Sequence, residues 1–114
     1  MDASETYIRM ADTPEIQGQA EWTDNEYVAR KDTHEVIDRV FEYQYMLPNL
    51  IWLPRQDQLQ AMIEGNHLTK FGKLYRSVVA MELYPSDSME QLWLAFVMHE
   101  KYNKVWTGTE WRQE

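Results

Sequence analysis

Cysteine is absent from this sequence, which removes disulfides, thiolate metal ligands and thiol nucleophiles together. A chain without thiols is compatible with a reducing cytoplasm. Glycine is scarce, and Gly18, Gly65, Gly72 and Gly108 form neither a phosphate loop nor a dinucleotide fingerprint. No nucleotide cradle is visible, and no cofactor is expected. Long apolar runs are also missing: the longest, Leu92 to Met98, is about a third of the length a bilayer span requires. The first residues, with Asp2, Glu5 and no apolar run, do not read as a signal peptide. The expectation is a soluble cytoplasmic protein with no membrane partner. Positive charge is thin as well. Eleven Lys and Arg face nineteen Asp and Glu, a net charge of -8, so phosphate backbones should be repelled unless the bases cluster.

What is present is apolar and aromatic. Hydrophobic residues make up 44% of the 114 and aromatics 13%, with five Trp and seven Tyr, too much for a disordered tail. A chain of this length can bury about 65% of its unfolded surface around one core. The acidity is uneven. Residues 1–42 hold eleven acids against Arg9, Arg30, Lys31 and Arg39, a balance of -7, whereas residues 43–114 balance at -1. Between Gly65 and Met81, Lys70, Lys73 and Arg76 stand with no acid among them.

The stretch from Ser86 to Tyr102 organises the rest. It follows Pro85, and Asp87 with Glu90 has the form of an N-terminal cap with an acid in the first turn. Met89, Leu92, Trp93, Phe96 and Tyr102 form one helical face, which Leu94, Ala95, Val97 and Met98 widen until the middle turns are apolar nearly all round. Such a helix must be covered on several sides, by its own domain or by a second copy.

Upstream, residues 1–13 are expected to fray and residues 14–114 to form a single domain, beginning with an extended segment anchored by Ile16 and Trp22. Tyr27 to Arg30 and Val36 to Tyr43 read as two β-runs around a polar turn at Asp32 to Glu35. That is an antiparallel hairpin with a four- or five-residue loop, since the turn lacks glycine. A helix over Glu35 to Tyr45 competes for the second run. Leu50 to Leu53, between Pro48 and Pro54, reads as a buried strand or an extended entry segment. One-sided helices are expected over Arg55 to Glu64, ended by Gly65-Asn66, and over Leu68 to Tyr84, ended by Pro85, the latter with Phe71, Leu74, Tyr75, Val78, Val79 and Leu83 at spacings of three and four. Trp106 and Trp111 flank Gly108 in a short terminal hairpin. The fold class is α+β: an N-terminal hairpin packed on about three helices, closed by a C-terminal Trp hairpin.

Several phrases, taken together, resemble a known group. Pro14-Glu15-Ile16-Gln17 shortly before Trp22, Trp52-Leu53-Pro54-Arg55-Gln56-Asp57-Gln58-Leu59-Gln60, Met89 to Met98, and a Trp-x-Gly-x-x-Trp end at Trp106 to Trp111 are similar to small uncharacterised proteins encoded by phages and prophages of Gram-positive bacteria. In those relatives a glycine often stands in the hairpin turn where this chain has His34. The resemblance implies a mobile-element origin and a cytoplasmic setting. It carries no catalytic residues.

Catalytic constellations are hard to find in the residues themselves. His99-Glu100 would need a second histidine four residues after the first to bind zinc from one helix face, and position 103 is Asn. His34 and His67 fall in a turn and a loop. Ser77, Ser86 and Ser88 lack a nucleophile elbow, and Asp57 with Glu64 is an acid pair of the kind nineteen acids produce by chance. No catalytic or metal-binding residue is assigned. The surplus is aromatic: Trp22, Tyr43, Tyr45, Trp52, Trp106 and Trp111, with Leu94 on the central helix, form the candidate partner or self-association surface, because Trp, Tyr and Arg dominate interfaces. The expected function is a non-enzymatic protein-interaction module with an unknown protein partner, a homodimer being one candidate assembly. The alternative is an accessory factor of phage replication or recombination that contacts nucleic-acid phosphates through Lys70, Lys73 and Arg76. An acidic decoy of DNA is a third reading.

Overall fold

Strand β3 (Leu50–Leu53) is buried at every position, as a strand covered on both faces must be. In the computed structural model, which describes residues 1–20, 22, 26–37 and 49–114, it pairs antiparallel with β1 (Tyr27–Arg30), placing Val28 opposite Trp52 and Ala29 opposite Ile51. On its other side β1 pairs antiparallel with β2 (Val36–Ile37), giving the order β2-β1-β3. The expected hairpin is present in its described part, with a five-residue loop; the remainder of its second run, residues 38–43, and of the competing helix lies outside the described residues. His34 sits in the left-handed region, φ 59°. Its Nδ1 lies 2.7 Å from Glu5 Oε1. At the start of the loop Arg30 donates to Asp32 through Nε and Nη2 at 3.1 and 2.9 Å, and those bonds hold the exposed Asp32 carboxyl below its ordinary value.

The chain divides into two compact units, Met1–Arg55 and Gln56–Glu114. In the first unit the N-terminus is built in. The stretch expected to fray contains α1 (Glu5–Ala11), capped by the Ser4 side chain on the Tyr7 amide and burying Tyr7, Ile8, Met10 and Ala11. The Tyr7 hydroxyl donates to the Pro54 carbonyl at 2.6 Å, which ties α1 to the end of β3. Residues expected to be extended instead form one helical turn, α2 (Pro14–Gln17). Thr13 precedes it and Pro14 opens it, the position where a missing N–H costs nothing.

That turn aims Gln17 at β3. Its Oε1 accepts from the Trp52 amide at 2.8 Å, while its Nε2 donates to the carbonyls of Trp52 at 2.9 Å and Ala11 at 2.8 Å. A side-chain amide therefore satisfies a backbone pair on the edge of β3 facing away from β1, as a fourth strand would. The Trp52 indole donates to buried Glu26 at 2.8 Å, and Arg55 Nη1 lies 3.7 Å from the same carboxylate oxygen.

The second unit is built on α5 (Met89–Tyr102). Trp93, Leu94, Ala95, Phe96, Val97 and Met98 are all buried, each large side chain contributing about 1.5–3 kcal/mol of transfer free energy. The helix is capped one residue later than its acidic pattern suggests: Ser88 Oγ accepts from the Gln91 amide at 3.1 Å, and the Gln91 side chain accepts from the Asp87 amide at 3.2 Å. Helices α3 (Gln56–Ala61) and α4 (His67–Val79) lie against α5. Phe71, Trp93 and Phe96 run in edge-to-face contact, with centroids 5.5 and 5.9 Å apart.

Helix α4 ends at Val79 rather than at the residue before Pro85. Met81 turns left-handed at φ 58°, its amide bonding Val78 and the Glu82 amide bonding Ser77. This pair of bonds satisfies two carbonyls that the helix end would leave open.

The C-terminal hairpin joins β4 (Lys104–Trp106) to β5 (Trp111–Gln113), with Trp106 opposite Trp111 and their rings 5.1 Å apart at 61°. Its turn places Gly108 at φ +104°, and a β-carbon there would sit 2.9 Å from the Tyr84 hydroxyl. Gly108→Ala combines left-handed strain with that clash and is expected to cost about 1–2 kcal/mol. Thermal unfolding checks this, and Gly108→Ala combined with Tyr84→Ala recovers only the share due to the clash.

Candidate functional site

The exposed face of α4 is the most unusual surface of the described residues. Helix α4 buries only Leu74 and Ser77. On the other side Leu68 is 85% exposed, Tyr75 70% and Val79 62%, with Phe71 and Val78 each at 45%. At 100° per residue these five fall within about a quarter-turn of one another, a stripe as wide as one that normally faces a core. Isolated apolar residues on a surface are ordinary, but five in register on one helix are not. Beside them opens a groove of about 560 Å³ lined by Val78, Leu83, Tyr84, Met89 and Leu92 together with Pro85 to Ser88. Tyr84 and Met89 are also partly exposed.

Charge borders the stripe on the flank beyond Val79. Arg76 is exposed, and Lys73 Nζ lies 3.8 Å from Glu100 Oε1. Lys70 is half-buried. The three bases expected to act as one patch therefore differ, since Lys73 already faces a carboxylate.

Family models, curated proteins and solved structures offer no match to this chain. The site must be read from its own geometry.

The aromatic surface expected from sequence is largely dissolved. Trp52, Leu94 and Trp106 are no more than 3% exposed and cannot meet a partner: Trp52 is locked into β3, Leu94 belongs to the buried girdle of α5, and Trp106 packs on Trp111. Trp111 is half-buried by the same contact. Trp22 is exposed. Tyr43 and Tyr45 lie outside the described residues. The residues that do form an exposed apolar surface, Leu68, Phe71, Tyr75, Val78 and Val79, lie on the helix expected there, and none of them is in the expected partner surface. Gly72 at the edge of that stripe was the available signal, since a glycine weakens a helix interior by about 1 kcal/mol and tends to be tolerated where another backbone comes close.

The histidines serve separate local roles. His99 Nε2 lies 2.9 Å from Glu114 Oε2 and 3.3 Å from Glu82 Oε2, joining the chain end and the loop after α4 to α5. His67 opens α4 and stacks near Phe71, and His34 shapes the hairpin turn. Among the described residues no group of three or more histidines and carboxylates could hold a metal ion. Asp57 stands in the first turn of α3 and Glu64 beyond its end, both exposed. Among the described residues no helix is long and apolar enough to cross a membrane.

Proposed function

We propose that this is a non-enzymatic protein-interaction module of phage or prophage type, acting in the host cytoplasm and docking through the outer face of α4. The observation that supports this reading most is the row of Leu68, Phe71, Tyr75, Val78 and Val79 left open on a helix whose other side is already packed. Burying such a row on association removes apolar area at about 25 cal/mol per Å² before the costs of association are met. Buried centres with aromatic anchors are where interface energy concentrates, and Tyr75 is placed to be such an anchor.

A photo-crosslinking side chain at position 75, carried into Gram-positive host cells, is expected to trap a discrete protein band that the same group at exposed Arg112 does not. Tyr75→Glu should leave the fold intact, because so exposed a side chain costs under about 1 kcal/mol to replace. It should also abolish the crosslink formed from position 78. Equal labelling from positions 75 and 112, or none from either, would remove the reading.

The nucleic-acid alternative draws on the same helix and has less behind it. Lys73 is engaged with Glu100, which leaves two cations on a protein of net charge -8. Phosphate contacts are weak individually and multiply only with number. Gel-shift assays at low salt are expected to show no retardation of single- or double-stranded probes.

A further inference from the structure

The charge around α4 specifies more than a sticky face. From Gly65 to Met81 the chain has no acid, so α4 is a local reversal of sign on a strongly acidic protein. Arg76 lies along one long side of the apolar stripe, and the groove lies along the other. Asp87 is among the groove-lining residues, so the basic border belongs to the Arg76 side alone. On the Arg76 edge of the stripe, one turn from both Leu68 and Tyr75, stands Gly72, and a β-carbon built there meets nothing within 4 Å. Among the described residues no neighbour explains a glycine at this point, and it is where a second helix could approach α4 closely.

Resting on the reading that α4 is a docking face, we infer that its occupant is an acidic amphipathic helix of another protein. The apolar side of that helix lies along Leu68, Tyr75 and Val79 and crosses at Gly72. One large apolar side chain enters the groove between Val78, Leu83, Tyr84 and Met89, and a carboxylate on its flank meets Arg76. A second copy of this chain is the poorer occupant. An antiparallel twofold pair would set Arg76 against Arg76, and any pair of copies brings together two bodies of net charge -8.

Selection of a yeast-displayed library of random 16-residue peptides against the full chain tests this. The expected pool is rich in Asp and Glu, carries large apolar residues at helical spacings of three and four, and is lost with Tyr75→Glu. Arg76→Glu should weaken the selected peptides about tenfold. Gly72→Ala should raise the thermal midpoint while weakening the same peptides several-fold, a pairing that a merely structural glycine would not give. A pool that is basic or uncharged yet still lost with Tyr75→Glu overturns the inference and leaves α4 as a docking face. A dimer in light scattering that dissociates with Tyr75→Glu replaces the occupant with a second copy. A monomer that enriches no peptide removes both the inference and the reading beneath it.

Discussion

Phe96→Ala is expected to lower the unfolding free energy by about 3–5 kcal/mol, the range for deleting a fully buried phenylalanine. Phe96 is 0% exposed and meets Trp93 edge to face at 5.9 Å. The substitution therefore removes both transfer free energy and a specific ring contact, and leaves a cavity that the flanking Ala95 and Val97 are too small to fill. Domains of this size hold about 5–15 kcal/mol in total, so the loss is a large part of the whole. It should appear as a fall in thermal midpoint on the order of 15 °C. Phe96→Leu, which keeps most of the volume, is expected to lose under about 1.5 kcal/mol. Met89→Ala on the same helix, at a position that is partly exposed, should lose under about 1 kcal/mol. If Phe96→Ala and Met89→Ala unfolded alike, α5 would not be the buried centre of its unit.

The contrast between α5 and α4 shows where sequence reasoning works and where it stops. In α5 the apolar residues run all round the helix, and no solvated face remains for the pattern to misassign, so burial was legible from Leu92 to Met98. In α4 the stripe has the same period as a core-facing helix, and period alone cannot say whether the cover comes from within the chain. The strand at Leu50 to Leu53 and the hairpin at Tyr27 to Ile37 were legible because β-branched and aromatic runs stand between polar turns and prolines. Helix α1 was not, because seven residues offer barely two turns of periodicity, although Ser4 ahead of Tyr7, Ile8 and Ala11 carried both cap and spacing. For the site the failure has a clear cause: Trp52 and Trp106 were weighed as interface residues by type, whereas a tryptophan is as suited to a small core when its indole finds a place.

The interaction reading gains from how little of α4 the fold itself requires. Leu74 and Ser77 anchor the helix, and Phe71 touches Trp93 at 5.5 Å with nearly half of its surface still open. Leu68, Tyr75 and Val79 add nothing to the described core. Side chains free of packing duty can be exchanged without unfolding the chain, so binding and stability should separate cleanly at those three positions, as they would not at Phe71.

Gln17→Ala carries the second large effect, and it tests a link that no local pattern announces. The two phrases Pro14-Glu15-Ile16-Gln17 and Trp52-Leu53-Pro54-Arg55, thirty-five residues apart at Gln17 and Trp52, are joined by one side chain that bonds the Trp52 amide, the Trp52 carbonyl and the Ala11 carbonyl. Truncation would strand a donor and two acceptors at a buried strand edge. Each unsatisfied group costs about 1–3 kcal/mol, less where water can enter, so a total of about 3 kcal/mol is expected. Gln17→Glu separates hydrogen bonding from packing. It keeps the shape and the acceptor for the Trp52 amide, but sets a carboxylate oxygen against two carbonyls, and should therefore be no more stable than Gln17→Ala. Gln19→Ala, two residues on and exposed, should lie within about 0.5 kcal/mol of wild type. Chemical denaturation of the three variants measures the series, and hydrogen exchange at the Trp52 amide locates it, since that proton should lose protection in both Gln17 variants. A Gln17→Glu protein as stable as wild type would mean that the carboxamide fills space rather than closing the sheet edge.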